Sequence, residues 1–260
     1  SVLTGANLAN RDLLYLGVSG DGDSASIGFG QFAHSIRRGV NMVYIVENNG
    51  VYGLTKGQFS ATADRGSKSK RGVVNTDECL DLVMVALQMG ATFVGRSFSG
   101  DKAQLVPLIK AAIEHKGSAL IDVISPCVAF NNHDGSTRSY DYVREHNEAV
   151  NRIDFIKDRK EITTDYAPGS VQDVLQHDGS TLRLRKVAAD YDASDRVNAM
   201  NYLQQRARAG EIVTGLLYVQ SGSEDLHDSL NTVSAPLNRL AAKDLCPGSK
   251  VIEQLNASMR

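Results

Sequence analysis

Short apolar runs bounded by turn residues alternate with helically spaced segments along the first half of the chain. Leu13 to Val18 and Met42 to Val46 lack the polar alternation of a half-exposed strand. They read as strands buried on both faces. Ala119 to Ile124 is a third such run, and Thr92 to Val94 is a shorter candidate. Ser24 to Arg38 places Ile27, Phe32 and Ile36 on roughly one side, with Gly39 as a stop signal. Asp77 to Met89, opened by a Thr76/Asp77 cap signal, and Asp101 to His115 read as further helices. In that frame Cys79 lies one helical turn before Val83 and faces the core. Strands alternating with helices predict an α/β fold on a parallel sheet with right-handed crossovers.

The pattern changes after residue 150. Val171 to Val187 reads as a hairpin turning at His177-Asp178-Gly179-Ser180. Ser194 to Ala209 reads as an amphipathic helix with a Ser/Asp cap, and Glu211 to Val219 as a strand. From Ser221 onward the chain is mixed and is expected to wrap over the core or a partner. The expected division is a cofactor-binding α/β domain over 1–150 and a C-terminal hairpin-and-helix extension over 151–260. No internal repeat or low-complexity segment interrupts either part.

Composition narrows the classes. With 23 Gly and 5 Pro in 260 residues, the chain is neither fibrous nor disordered. Lys and Arg number 28 against 30 Asp and Glu, so no global basic field draws in nucleic acid or an anionic membrane. No run approaches the ~20 apolar residues of a transmembrane helix, and no signal peptide is visible. Three widely spaced cysteines, Cys79, Cys127 and Cys246, suggest a reducing compartment, and hence the cytoplasm. The opening at Ser1, inside an Ala/Leu-rich stretch, suggests that a preceding segment is missing. Ser60 to Val74 is polar and carries Arg65, Lys68, Lys70 and Arg71. It reads either as a solvated loop or as a contact for a phosphate-bearing substrate or a partner subunit.

The strongest local signal is Ser19-Gly20-Asp21-Gly22-Asp23, between a buried strand and a helix. Glycines permit a tight turn and close backbone approach to a ligand. The helix start behind them favours an anion, at the strand end where open α/β sheets bind ligands. One reading is a dinucleotide site, with Gly20-x-Gly22-x-x-Ala25 on the pyrophosphate and Glu47 on a ribose. Asp21 and Asp23 would then repel the pyrophosphate. A divalent cation removes that repulsion, since Mg²⁺ binds through a few protein oxygens plus substrate phosphates. The next strand ends in Glu47-Asn48-Asn49-Gly50, and adjacent parallel strands bring Asn49 to face Asp21. A non-catalytic nucleotide-binding module remains a third reading.

Gly20-Asp21-Gly22, followed 28 positions after Asp21 by Asn49, resembles the thiamine diphosphate-binding motif of thiamine-dependent enzymes. The run Asn48 to Gln58, the segment Ser125 to Asn131, His177-Asp178-Gly179-Ser180 and Asp225-Leu226-His227-Asp228 narrow the resemblance. Together they look like the beta subunit of 2-oxoacid:ferredoxin oxidoreductases, nearest the 2-oxoglutarate branch. The resemblance implies the thiamine diphosphate-binding fold, with helices on both faces of the sheet. It implies Mg²⁺ held by Asp21, Asn49 and the Val51 carbonyl, and a diphosphate cradled by Gly20, Gly22 and Asp23. Tyr52, Gly53 and Leu54 continue the cofactor loop. Leu54 and Lys56 would reach the thiazolium and the substrate, with Lys56 pairing a carboxylate.

Cys127 would be the fourth ligand of a [4Fe–4S] cluster whose other cysteines lie in a segment before the motif, while Cys246 is inert and His34 structural. The resemblance further implies an alpha subunit that supplies the thiamine-activating carboxylate, in a tetramer of two alpha and two beta chains. Its implied substrates are 2-oxoglutarate (or pyruvate or another 2-oxo acid), coenzyme A and ferredoxin.

Overall fold

The computed structural model describes residues 1–150, 167, 170–175, 181–185, 191–246 and 248–259. The strands are β1 (Leu16–Gly20), β2 (Met42–Asn48), β3 (Val51–Tyr52), β4 (Gln58–Phe59), β5 (Phe93–Phe98), β6 (Ser118–Ile124), β7 (Asn147–Val150), β8 (Val171–Leu175), β9 (Thr181–Arg185) and β10 (Ile212–Val219). The helices are α1 (Val2–Ala9), α2 (Phe29–Arg37), α3 (Leu82–Met89), α4 (Lys102–Glu114), α5 (Tyr140–His146), α6 (Arg196–Arg208), α7 (Leu226–Leu230), α8 (Ala242–Leu245) and α9 (Gly248–Ser258).

Six strands form one sheet in the order β1-β2-β6-β5-β10-β7. The first four are mutually parallel, while β10 runs antiparallel to β5 and parallel to β7. The sheet is therefore mostly parallel and mixed at one side, not purely parallel. Side chains alternate across it, so neighbouring residues of one strand enter different cores. Leu120, Val46 and Val94 meet α2, α3 and α6 through Phe32, Leu82, Val83, Leu87 and Leu203. Ile121, Val43 and Phe93 meet α4 through Leu108 and Ala112. Helices thus cover both faces, which is why the central strands carry no polar alternation. The C-terminal part supplies α6 and β10 to this assembly. The hairpin forms between β8 and β9; its expected turn at His177–Ser180 lies outside the described residues.

Several boundaries differ from the sequence reading. The first strand begins at Leu16, with Leu13 and Leu14 exposed ahead of it. The expected helix from Ser24 splits into a π-helical turn, Gly22–Ile27, and α2, divided by Gly28. The strand expected over 92–94 extends to Phe98, because it pairs on both edges. The helix expected from Asp77 starts at Leu82. Residues before it bond elsewhere, Leu80 N–H donating to the Ala61 carbonyl at 2.7 Å. Asp81, not Asp77, is the cap, accepting from the Val83 and Met84 amides. Cys79 consequently lies outside α3 and is exposed as a residue, not core. Among the described residues no helix is long and apolar enough to cross a membrane.

Candidate functional site

The loops after β1 and β2 meet because the strands pair in register, Gly20 opposite Glu47. Asp21 follows β1 directly and is fully buried. Its Oδ1 accepts from the Asn49 amide at 3.3 Å. Its Oδ2 accepts from the Gly50 amide at 3.1 Å, from Thr62 Oγ1 at 2.5 Å and from Ser60 Oγ. A buried carboxylate needs such donors to offset its desolvation. Asn49 Oδ1 accepts from the Val51 amide at 3.0 Å, an Asx turn that starts β3. Asn131 Nδ2 donates to the Asn49 carbonyl at 2.7 Å and fixes the loop from the other side.

Behind Asp21 the chain enters the π-helical turn, closed by Gly28 N–H to the Asp23 carbonyl at 2.6 Å. The free amides of such a start suit an anion. Tyr52 lies over Gly22, its hydroxyl donating to the Gly22 carbonyl at 3.2 Å. A Cβ on Gly22 would stand 2.4 Å from the Tyr52 ring. The glycine is therefore required by a close approach. Gly20 is half-buried, and Asp23 is exposed at the mouth.

The β3–β4 loop carries Gly53, Leu54 and Lys56. Leu54 is 98% exposed. Lys56 is exposed and holds a left-handed backbone at φ 79°, its amide bonded to the Gly53 carbonyl at 3.1 Å. A cleft of about 480 Å³ beside this loop is lined by Lys56, Lys70, Arg71, Phe59 and Phe130 among others. Lys70 Nζ also donates to the Ala129 carbonyl at 3.2 Å. The 60–74 stretch is not a solvated loop throughout, since Ser60, Thr62, Ala63 and Ser67 are buried.

Cys127 sits against Gly53, where an added Cβ would lie 3.7 Å from its Sγ. Neither other cysteine joins it. Cys79 donates to the Thr62 carbonyl at 3.2 Å, and Cys246 is exposed. Desolvation of the sulfur and the nearby Asp64 carboxylate push the Cys79 thiol up to about 12. Among the described residues no group of three or more His, Cys, Asp or Glu is placed to hold a metal. His34 is exposed on α2, away from any role that the geometry requires.

A second buried layer stands behind the loops, and the sequence reading missed it. Arg138 donates to Asp64 Oδ2 at 2.6 Å and to the Thr62 carbonyl at 2.9 Å. Asp64 is held below the usual carboxylate range. Burial opposes this, but Arg138 and hydrogen bonds from Thr137, Cys79 and Arg138 outweigh it. Arg96 bonds Asp122 at 2.8 Å and Asp81 at 2.5 Å. Those two carboxylates outweigh its desolvation and raise its pKa further. The available signal was a charge inside an apolar run: Asp122 in Ala119 to Ile124, and Arg96 in Phe93 to Phe98. Ser60 and Thr62 carried no such signal.

Residues 1–123 match the family model "Thiamine pyrophosphate enzyme, C-terminal TPP binding domain". The beta subunit of a 2-oxoacid:ferredoxin oxidoreductase from a Sulfolobus species is 47% identical over 129 residues, 49% of this chain and 42% of that protein. The 2-oxoglutarate oxidoreductase subunit KorB of Mycobacterium tuberculosis is 40% identical over 137 residues, 52% of this chain and 36% of that protein. The chain spans less than half the length of the curated relatives it matches. A solved 2-oxoglutarate:ferredoxin oxidoreductase from Magnetococcus marinus, with 2-oxoglutarate, coenzyme A and succinyl-CoA bound, aligns with a TM-score of 0.67. It is 27% identical and covers 97% of this chain and 71% of that one. These matches favour the thiamine reading of the Gly20–Asp23 loop over the dinucleotide one. Residues 1–123 are thus similar to a thiamine pyrophosphate-binding domain, and over about half its length the chain is similar to the beta subunits of 2-oxoacid:ferredoxin oxidoreductases.

Proposed function

We propose that this chain is the cofactor-binding beta subunit of a cytoplasmic 2-oxoglutarate:ferredoxin oxidoreductase. The reaction joins 2-oxoglutarate and coenzyme A to give succinyl-CoA and CO₂, with two electrons passed singly to ferredoxin. The observation that carries this reading is the meeting of buried Asp21 with the Asn49–Val51 loop at the carboxyl ends of two parallel strands. The names of the relatives and the ligands of the Magnetococcus structure support 2-oxoglutarate over pyruvate.

The donor set fits Mg²⁺. Asp21 Oδ1 takes a single hydrogen bond from the described residues, from the Asn49 amide, and the loop that this bond holds against Asp21 offers the neutral Asn49 Oδ1 and the Val51 carbonyl. All are hard oxygen ligands. The backbone of Gly20, Gly22 and Asp23 would cradle the diphosphate, where the space over Gly22 admits no side chain. Thiamine diphosphate, when bound, would supply the electron sink that decarboxylation of a 2-oxo acid needs. The chain's own part is binding and orientation. Tyr52, Gly53 and Leu54 line the loop, and Lys56, held at its tip, pairs with the distal carboxylate of the substrate. Lys70 and Arg71 in the same cleft add positive charge there.

The described residues do not complete an iron–sulfur site. A [4Fe–4S] cluster takes four thiolates, and no second cysteine stands beside Cys127. Cys127 is proposed as one ligand of such a cluster. An alpha subunit, in a tetramer of two alpha and two beta chains, would bring the carboxylate that activates thiamine.

Calorimetric titration tests the cofactor assignment. The assembled enzyme should bind thiamine diphosphate only with Mg²⁺, and Asp21→Ala should abolish that binding. The reading is overturned if the assembled enzyme shows no thiamine- and coenzyme A-dependent reduction of a low-potential acceptor with 2-oxoglutarate.

A further inference from the structure

Asp21 is wired to a second buried acid that the proposed function does not use. Asp122, in β6, is fully buried. Its Oδ2 accepts from Arg96 Nε at 2.8 Å, and its Oδ1 accepts from Asn48 Nδ2 at 3.0 Å. A carboxylate can only accept, so it dictates which end of the Asn48 amide turns toward β6. Asn48 Oδ1 is thereby presented to Thr62 Oγ1 at 3.0 Å. The Thr62 hydroxyl owns one proton and faces two carbonyl-type acceptors, Asn48 Oδ1 and Asp21 Oδ2, the latter at 2.5 Å. Ser60 Oγ stands 2.9 Å from the same hydroxyl. Arg138 anchors the Thr62 carbonyl, so the hydroxyl turns on a fixed backbone. Asn48 and Thr62 are both buried, which shields the arrangement from competing water.

We propose that Asp122 is a positioning residue for cation binding at Asp21. By fixing the Asn48 amide it gives the Thr62 proton a second acceptor. When Mg²⁺ approaches the carboxylate, that proton turns from Asp21 to Asn48, and Asp21 offers its charge to the cation without stranding a buried donor. Arg96 and Asp81 hold Asp122 in place. Asp122→Asn removes the constraint. The introduced amide can donate to Asn48 Oδ1, which turns the Asn48 NH₂ toward Thr62 and leaves the Thr62 proton on Asp21. The inference rests on the reading of Asp21 as an Mg²⁺ ligand.

The test is a thermodynamic cycle on the assembled enzyme, titrating Mg²⁺ at fixed thiamine diphosphate by calorimetry. Asp122→Asn should raise the half-saturating Mg²⁺ concentration about fivefold, the scale of one competing hydrogen bond. In a Thr62→Val background, which has no hydroxyl proton to redirect, the same substitution should have no effect. Asn48→Ala, which deletes the second acceptor directly, should repeat the pattern and serves if Asp122→Asn fails to fold. Equal losses with and without the Thr62 hydroxyl would mean a merely structural role and overturn the inference. So would a folded Asp122→Asn protein with unchanged Mg²⁺ dependence. Wild-type enzyme without Mg²⁺-dependent binding, or binding that survives Asp21→Ala, would overturn the reading of Asp21 itself.

Discussion

Asp21 takes its hydrogen bonds from two segments, the Asn49–Gly50 turn and the Ser60–Thr62 loop, so replacing it disturbs the site and the fold together. Asp21→Asn keeps the shape but turns an NH₂ toward groups that donate. It should lower stability by about 1–3 kcal/mol, the cost of a frustrated buried donor. Chemical denaturation of the cofactor-free protein measures this. Gly22→Ala acts by space alone. Its methyl group would collide with the Tyr52 ring, which must swing away and lose its bond to the Gly22 carbonyl. Thiamine diphosphate affinity should fall at least about tenfold, because the loop that follows Asn49 moves with Tyr52. Unchanged affinity in a binding titration would refute that steric reading.

At the scale of elements, two helices show how one cap chemistry carries different consequences. Asp195 caps α6 by accepting from the Val197 and Asn198 amides. Asp195→Ala should cost about 1 kcal/mol, the ordinary loss of a helix cap. Asp81 caps α3 in the same way but also pairs with Arg96, whose side chain is only 12% exposed. Asp81→Ala leaves a buried cation with one carboxylate fewer, and should cost about 3 kcal/mol. Urea melts of the two variants, compared at equal slope, read the difference. Both caps are simple sequence signals, yet the sequence placed the α3 cap at Thr76/Asp77. The deciding fact was the Leu80–Ala61 hydrogen bond, which ties the residues before Leu82 to another segment and keeps them outside the helix.

For the molecule as a whole, His115 ties the start of β5 to the C-terminal segment through Thr92 Oγ1 at 2.8 Å and Ser223 Oγ at 3.4 Å. Burial lowers its pKa below the ordinary imidazole value of 6.5. The unfolded chain therefore binds this proton at higher pH than the folded one. The contribution is fully present above 6.5 and is lost as pH falls through the lowered folded value. Thermal unfolding from about pH 8 to 5 should show a declining midpoint, and His115→Gln should flatten that decline. A decline of equal slope in the variant would assign the effect to other groups.

The apolar runs and their turns determined the α/β class, the central strands and the Asp21–Asn49 pair, because these depend on local periodicity and on neighbouring parallel strands. The resemblance of the two loops to the thiamine motif was equally legible, since the chemistry resides in contiguous residues. What only the tertiary structure decided is non-local. β10 enters the sheet antiparallel to β5, and strand direction leaves no mark on a hydrophobic pattern. Ser60, Thr62 and Asn131 reach the site from polar stretches without periodicity. Cys79 left its expected helix when Leu80 bonded to Ala61. Arg96 and Asp122 carried a visible signal, a charge in an apolar run, but their pairing across β5 and β6 required the register to be known. Burial makes each such charge depend on a partner, and the chain's three-dimensional path supplies it.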